Sequence, residues 1–302
     1  MRRREFIKKT SLSVAAAHFA SINILAKSKT IQTQQYDLVA IKGGGPDEMF
    51  ARAIQDLGGI KKFVKPNQSV VVKPNMGWDV PPERAANANP KLIGEIVKQC
   101  KSAGAQKVYV FDHTCDEWQR AYSNSGIERE VEENGGTMVP GNFERYYQDV
   151  TINFGRRLSE SKVHELILES DVFINVPVLK HHGSTQVSLG MKNNMGIVWD
   201  RGYWHRNDLH QCIADFASFK KPNLTVIDCY NALKRNGPRG VSEADVVNMK
   251  AQIISADIVA ADAAAAKMLG REPDDIGHIR IAGEANLGQA DLTKLSISRL
   301  NL

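Results

Sequence analysis

Short runs of β-branched residues alternate along this chain with stretches whose apolar positions recur three and four residues apart. The first pattern predicts strands and the second predicts amphipathic helices. Leu38–Ile41 reads as a strand and Asp47–Leu57 as a helix. Ser69–Lys73 (SVVVK) reads as a buried strand, followed by a long loop and a helix over Pro90–Ala103. Lys107–Asp112 (KVYVFD) is a further strand, with helices over Trp118–Ser125 and Ile127–Asn134 behind it. A helix over Lys162–Ser170 is expected to run into a strand over Asp171–Val178, with another helix over Asp208–Phe219. Leu224–Asp228 (LTVID) and Gln252–Ser255 read as strands, and Asp257–Leu269 as an alanine-rich helix. Continuous apolar runs, without polar alternation, mark strands covered on both faces. The expected class is therefore α/β: a mixed, mainly parallel sheet with helices on both faces and Rossmann-like elements.

The first residues break this pattern. Arg2, Arg3 and Arg4 precede Phe6, Ile7 and Lys8, and a moderately apolar run follows from Thr10 to Leu25. His18 and Asn23 interrupt that run, and a stable bilayer span takes about 20 mostly apolar residues. A basic head before a short apolar region is the layout of a signal peptide. The order Arg3-Arg4-x-Phe6-Ile7-Lys8 is what the twin-arginine translocase reads. Residues 1–26 are thus expected to be a twin-arginine signal peptide, 27–35 a polar tether, and 36–302 a single α/β domain with a periplasmic or exported destination. No clean small-x-small triplet precedes Ala26, so an uncleaved, membrane-tethered form stays open.

Charge matters here because of where it sits. Up to Lys29 there are seven basic residues and one acid, against a formal charge of +5 for the whole chain. Residues 30–302 therefore carry one net negative charge, and the pI of about 8.9 belongs to the leader. A nearly neutral domain lacks the basic face that neutralises phosphates, so nucleic acid is not an expected partner. The four cysteines are scattered with no C-x-x-C pair, which withholds support from iron–sulfur and thiolate–zinc frameworks. In a domain this large they read as free thiols, with Cys212 and Cys229 as the pairing most open to oxidation.

In open α/β sheets, ligands sit beyond the carboxyl ends of the strands, and the strand ends here are polar. Lys73-Pro74-Asn75, Asp112-His113, the segment Pro177 to His182, and Asp228 each follow an apolar run. The segment from Leu179 to His210 holds glycines at 183, 190, 196 and 202 and four of the eight histidines, the mark of a binding loop rather than a connector. Two chemistries fit. Lys73, Lys180 and Lys192 suit a carboxylate or phosphate, with Asn75 and Asn193 orienting it. His181 or His210 would serve as general acid/base beside Lys73. Asp112, His113, His181 and Asp228 would instead make an oxygen–nitrogen set for a divalent metal, though no H-E-x-x-H is present. Gly43-Gly44-Gly45 and Gly237 to Gly240 read as turns.

Several motifs recur in a fixed order: KPN at 73–75, P-x-L-K-H at 177–181, S-L-G-x-K-N-x-x-G at 188–196 and L-H-x-x-I-A-D at 209–215. L-T-V-I-D at 224–228, N-G-P-x-G at 236–240 and A-D-x-V-A-x-D-A at 256–263 complete the series. In these the chain resembles the domain-of-unknown-function 362 family, whose members are often described as iron–sulfur-centre proteins. The resemblance implies site positions at Lys73, Asn75, Lys180, His181, Lys192, Asn193, His210, Asp215, Asp228, Asp257 and Asp262. Asp257 reads as a helix cap, and Asp262 as the acid that reaches a cofactor. Many relatives carry a ferredoxin-like segment with clustered cysteines; this chain does not, so an iron–sulfur cluster is not supported. No established reaction comes with the family. The open readings are an enzyme acting on a small anionic or carbonyl substrate, a non-catalytic periplasmic protein that carries a cofactor or metal, and a partner-binding module.

Overall fold

Val70, Val71 and Val72 are fully buried, yet they divide between two cores. Successive side chains of a strand point to opposite faces, so an uninterrupted apolar run is buried on both. In the computed structural model, which describes residues 35–302, this is the organising feature of the sheet. The expected signal peptide and the tether up to residue 34 lie outside the described residues.

Twelve strands are present among the described residues: β1 (Leu38–Lys42), β2 (Ser69–Pro74), β3 (Lys107–Val110), β4 (Thr137–Met138), β5 (Tyr147–Thr151), β6 (Glu160–His164), β7 (Val172–Val176), β8 (Val178–His182), β9 (Gln186–Ser188), β10 (Leu224–Leu233), β11 (Val246–Ser255) and β12 (Ile297–Asn301). The main sheet runs β12-β1-β11-β10-β7-β2-β3-β4, with β8 paired to β10 and β9, while β5 and β6 form a separate hairpin. Along that path only β11 is antiparallel to its neighbours, so the sheet is mixed and mostly parallel. Val70, Val72, Ile174 and Val226 join one core with the helices Pro46–Asp56 and Pro90–Ser102. Val71, Phe173, Ile227 and Ile253 join the other with Leu209–Phe219, Ile258–Met268 and Gly277–Glu284. The α/β class expected from the sequence is the class observed.

Differences from the expected elements cluster around residue 170. The segment read as one helix from Lys162 to Ser170 is strand β6 followed by the short helix Glu165–Glu169. β6 is a strand because β5 pairs with it, Asp149 opposite Lys162, and the His164 side chain then caps the helix. The strand expected over Asp171–Val178 breaks at Pro177, which has no amide hydrogen to give the ladder. Beyond it, Leu179–His182, read as loop, joins Val178 in β8 beside β10. β10 and β11 each run ten residues, at least twice their expected length, because they pair with each other well past the main sheet. β12, short and partly polar, had no apolar signal; parallel pairing to β1 makes it a strand. All four cysteines are unpaired, with only Cys115 exposed. No helix among the described residues is long and apolar enough to cross a membrane.

Candidate functional site

β2 and β7 lie side by side with Lys73 opposite Asn175, on the face that carries Val71 and Phe173. Both polar residues are buried, so each must find partners inside the protein. Lys73 Nζ lies 3.0 Å from Asp112 Oδ1 and donates to Asn193 Oδ1 at 2.6 Å. Asn193 Nδ2 donates to Asn175 Oδ1 at 2.8 Å, and Asn175 Nδ2 donates to the Gly190 carbonyl at 2.9 Å. The chain of contacts ends at Asp262, which accepts from the Gly190 and Met191 amides at 2.6 and 2.9 Å. At its other end Asp112 Oδ2 accepts from the Met76 amide at 2.8 Å. Burial pushes the Asp262 carboxyl up to about 7, against the two amide donors that favour its charge. A side chain at Gly196 would meet Lys73 Nζ at 2.5 Å and run into Asp112, so the close approach of this loop needs glycine there.

Above this chain of contacts opens a cavity of about 520 Å³ at the carboxyl ends of β2, β3 and β8. Lys73, Lys180, Lys192 and Arg201 line it, and Asp112 is the one acidic residue in its wall. Lys180 Nζ donates to Asn75 Oδ1 at 2.5 Å and to the Ala86 carbonyl at 2.6 Å, and lies 6.0 Å from the centre of the Trp78 ring. Lys192 Nζ faces the Met195 thioether at 3.3 Å. Arg201 donates to the His113 and Thr114 carbonyls at 2.7 and 2.8 Å, holding the chain that follows β3. Among these four cations only Lys73 has an acidic partner among the described residues. Burial above all, with neighbouring cations adding to it, lowers Lys180 to about 7 and Lys192 to about 8. The same burial lowers Lys73, with Asp112 opposing.

Three histidines also reach this wall. His182 Nδ1 accepts from the Ser184 amide at 3.1 Å, which leaves the ring proton on Nε2. Burial and the adjacent lysines hold its pKa near 3, so it stays a neutral donor at physiological pH. His113 stacks on Trp199 at 5.0 Å, and its Nδ1 contacts the Val198 carbonyl at 3.0 Å, which assigns the proton to that nitrogen. His205 is lowered by burial and by Lys192.

The fold thus brings Lys73, Asn75, Asp112, His113, Lys180, Lys192 and Asn193 to one cavity. It places His181, His210, Asp228 and Asp262 elsewhere. His181 lies between Lys180 and His182 on β8, so strand alternation turns it to the opposite face. His210 meets His278 Nδ1 to Nδ1 at 3.1 Å, where two helices pack. Asp228 accepts from the Asn89 and Tyr230 amides at 2.7 and 2.9 Å, tying β10 to the start of the helix Pro90–Ser102. Burial raises its carboxyl to about 6. Asp262 orders the turn Gly190–Asn193 from behind rather than lining the cavity. Asp257 caps its helix, and Asp215 holds the Arg157 and Leu158 amides. The expected metal set is therefore corrected: Asp112, His113, His181 and Asp228 end on separate partners. No group of three or more His, Cys, Asp or Glu among the described residues is placed to hold a metal ion. His182 and His205 were noted at the rim and in the binding loop without a role, and Arg201 and Cys115 were not foreseen as site residues. Only His182 had a usable signal, the period-2 partner of Lys180 once the segment is known to be a strand.

Known proteins place the chain in context. A thylakoid-associated protein of Synechocystis sp. is 27% identical over 241 residues, covering 74% of this chain and 70% of that protein. The lactate racemase apoprotein from Thermoanaerobacterium thermosaccharolyticum gives a TM-score of 0.48 at 15% identity. This match covers 79% of the present chain but only 57% of the racemase. A Thermotoga maritima protein gives 0.40 at 16% identity, covering 60% of this chain and 49% of that one. The model of the domain of unknown function DUF362 matches residues 70–267, from β2 through the alanine-rich helix, and the chain belongs to that family.

Proposed function

We propose that this protein is an enzyme acting on a small organic anion, a carboxylate or phosphate, bound in the cavity at the sheet rim. The observation that supports this is the charge imbalance of the wall: four cations, three of them lysines, against the single carboxylate of Asp112. Cations gathered in a low-dielectric space raise one another's cost, and an anion relieves that cost. Lys192 supplies charge, and His182 Nε2–H supplies a neutral donor in the same wall. Strongly shifted groups around one cleft are the arrangement that proton-transfer chemistry uses. The twin-arginine order at residues 3–8 supports export of the folded protein, and Arg3→Lys with Arg4→Lys is expected to retain it in the cytoplasmic fraction.

Anion affinity should fall as pH rises, because a lysine is charged below its pKa and Lys180 and Lys192 lose their protons near 7 and 8. Calorimetric titration with inorganic phosphate at pH 6 and pH 9 is expected to show weaker binding at the higher value. Lys192→Ala should weaken binding roughly tenfold, the size of one lost charged hydrogen bond. His182→Ala should weaken it by a smaller factor, while His181→Ala leaves it unchanged. Binding that strengthens with pH and ignores Lys192→Ala would overturn this reading.

A further inference from the structure

We propose that Lys180 is a nucleophile that captures the aldehyde or ketone carbonyl of an anionic ligand as an imine, the neighbouring cations holding the ligand's charged end. The inference rests on the anion-binding reading of the same cavity and extends it to the chemistry of the ligand.

Three lysines line the cavity, and their surroundings assign them different tasks. Lys73 is locked against Asp112 and Asn193 and stays a fixed charge. Lys192 is only partly buried and touches a thioether, which leaves its ammonium free to meet an anion. Lys180 is 2% exposed and meets two neutral acceptors, Asn75 Oδ1 and the Ala86 carbonyl. A neutral amine has two N–H bonds and one lone pair. Those two acceptors take both N–H bonds and so hold the lone pair in a defined direction. An ammonium there would carry a third N–H with no acceptor among the described residues, only the Trp78 ring 6.0 Å away. Burial without a counter-charge favours the neutral form, consistent with the lowering of Lys180 to about 7.

The chemistry balances without any oxidant or reductant. The Lys180 lone pair attacks the carbonyl carbon, forming an N–C bond while the C=O π electrons move to oxygen. The resulting carbinolamine loses that oxygen as water, and in the net reaction both hydrogens of the water come from the amine nitrogen. The product is a C=N bond between Lys180 and the ligand. Its protonated form keeps one N–H for Asn75 or Ala86.

The test uses the full chain with two anionic carbonyl probes, pyruvate and pyridoxal 5′-phosphate, each at pH 7 and each followed by sodium borohydride and peptide mass spectrometry. The expected result is one reduced adduct per chain on Lys180 with at least one probe, lost in Lys180→Arg. Calorimetry with propionate and pyridoxine 5′-phosphate, which keep the anion and lack the reactive carbonyl, separates the two levels of the reading. Binding of an analogue with no adduct at Lys180 overturns the imine and leaves anion binding standing. No binding of either analogue overturns both. Adducts confined to exposed lysines also overturn the imine. The position of the adduct in the wild-type protein decides the matter even if Lys180→Arg fails to fold.

Discussion

Asp112→Ala is expected to lower the free energy of unfolding by about 3–5 kcal/mol, the cost of leaving a buried charge without its partner. Lys73 Nζ sits 3.0 Å from Asp112 Oδ1, and both side chains are almost wholly buried. The same substitution strips the Met76 amide of its acceptor. Lys73 would respond by giving up its proton, since burial already depresses its pKa and Asp112 is what opposes this. The sign follows. In the variant the folded chain holds fewer protons on Lys73 than the unfolded chain, so its stability rises with pH and the deficit shrinks from pH 6 to pH 9. Urea denaturation at both values, with the slope m unchanged, measures this. The double variant Lys73→Met with Asp112→Leu should cost less than the two single changes summed, because it removes both charges together. A loss under about 1 kcal/mol at pH 6 in Asp112→Ala would mean that Lys73 carries no charge in the folded protein.

Asp262→Ala should cost roughly 2–4 kcal/mol, because it leaves two buried amides, those of Gly190 and Met191, without acceptors. Its effect reaches the cavity through the turn Gly190–Asn193, which carries Lys192 and Asn193. Anion affinity is therefore expected to drop although Asp262 does not line the cavity. The deficit shrinks with rising pH as it does in Asp112→Ala, but in a lower window. With a folded pKa of about 7 against an ordinary 3.8, Asp262 keeps a proton that the unfolded chain has released, so its contribution to stability is lost as pH rises from about 4 to 7. Buried His164 and His182, held near 4 and 3, pull the other way. The difference between wild type and variant is thus the quantity to measure. If that difference were flat from pH 4 to 7, Asp262 would be an ordinary ionised cap. Asp262→Asn keeps one acceptor and is expected to fall between the two.

The α/β class and most of the large elements were readable from periodicity alone. Runs such as SVVVK and LTVID have no polar alternation, so they had to be covered on both faces, and the helices between them show their apolar stripe within a few turns. The rim was readable for a related reason. A charged residue that ends a fully apolar strand, as Lys73 does, has been carried by the strand to its carboxyl end, where ligands collect. Lys180 and Lys192 were identified from their polar, glycine-rich surroundings. These inferences use neighbours in the chain and nothing else.

The side a residue faces was decided by strands far away in sequence. Val178–His182 became a strand through pairing with β10 and β9, and that pairing turned His182 toward the cavity and His181 away from it. Asp228 and Asp262 sit where the local pattern placed them, but their carboxylates are taken by amides at Asn89 and at Gly190 and Met191. Arg201 and His205 belong to a short helix whose position no local pattern predicts, because packing and the Arg201 bonds to residues 113 and 114 set it. Chain order could specify which chemical groups arrive at the rim. Which of them share one cavity depended on pairing register, since a slip of one residue exchanges the two faces of a strand.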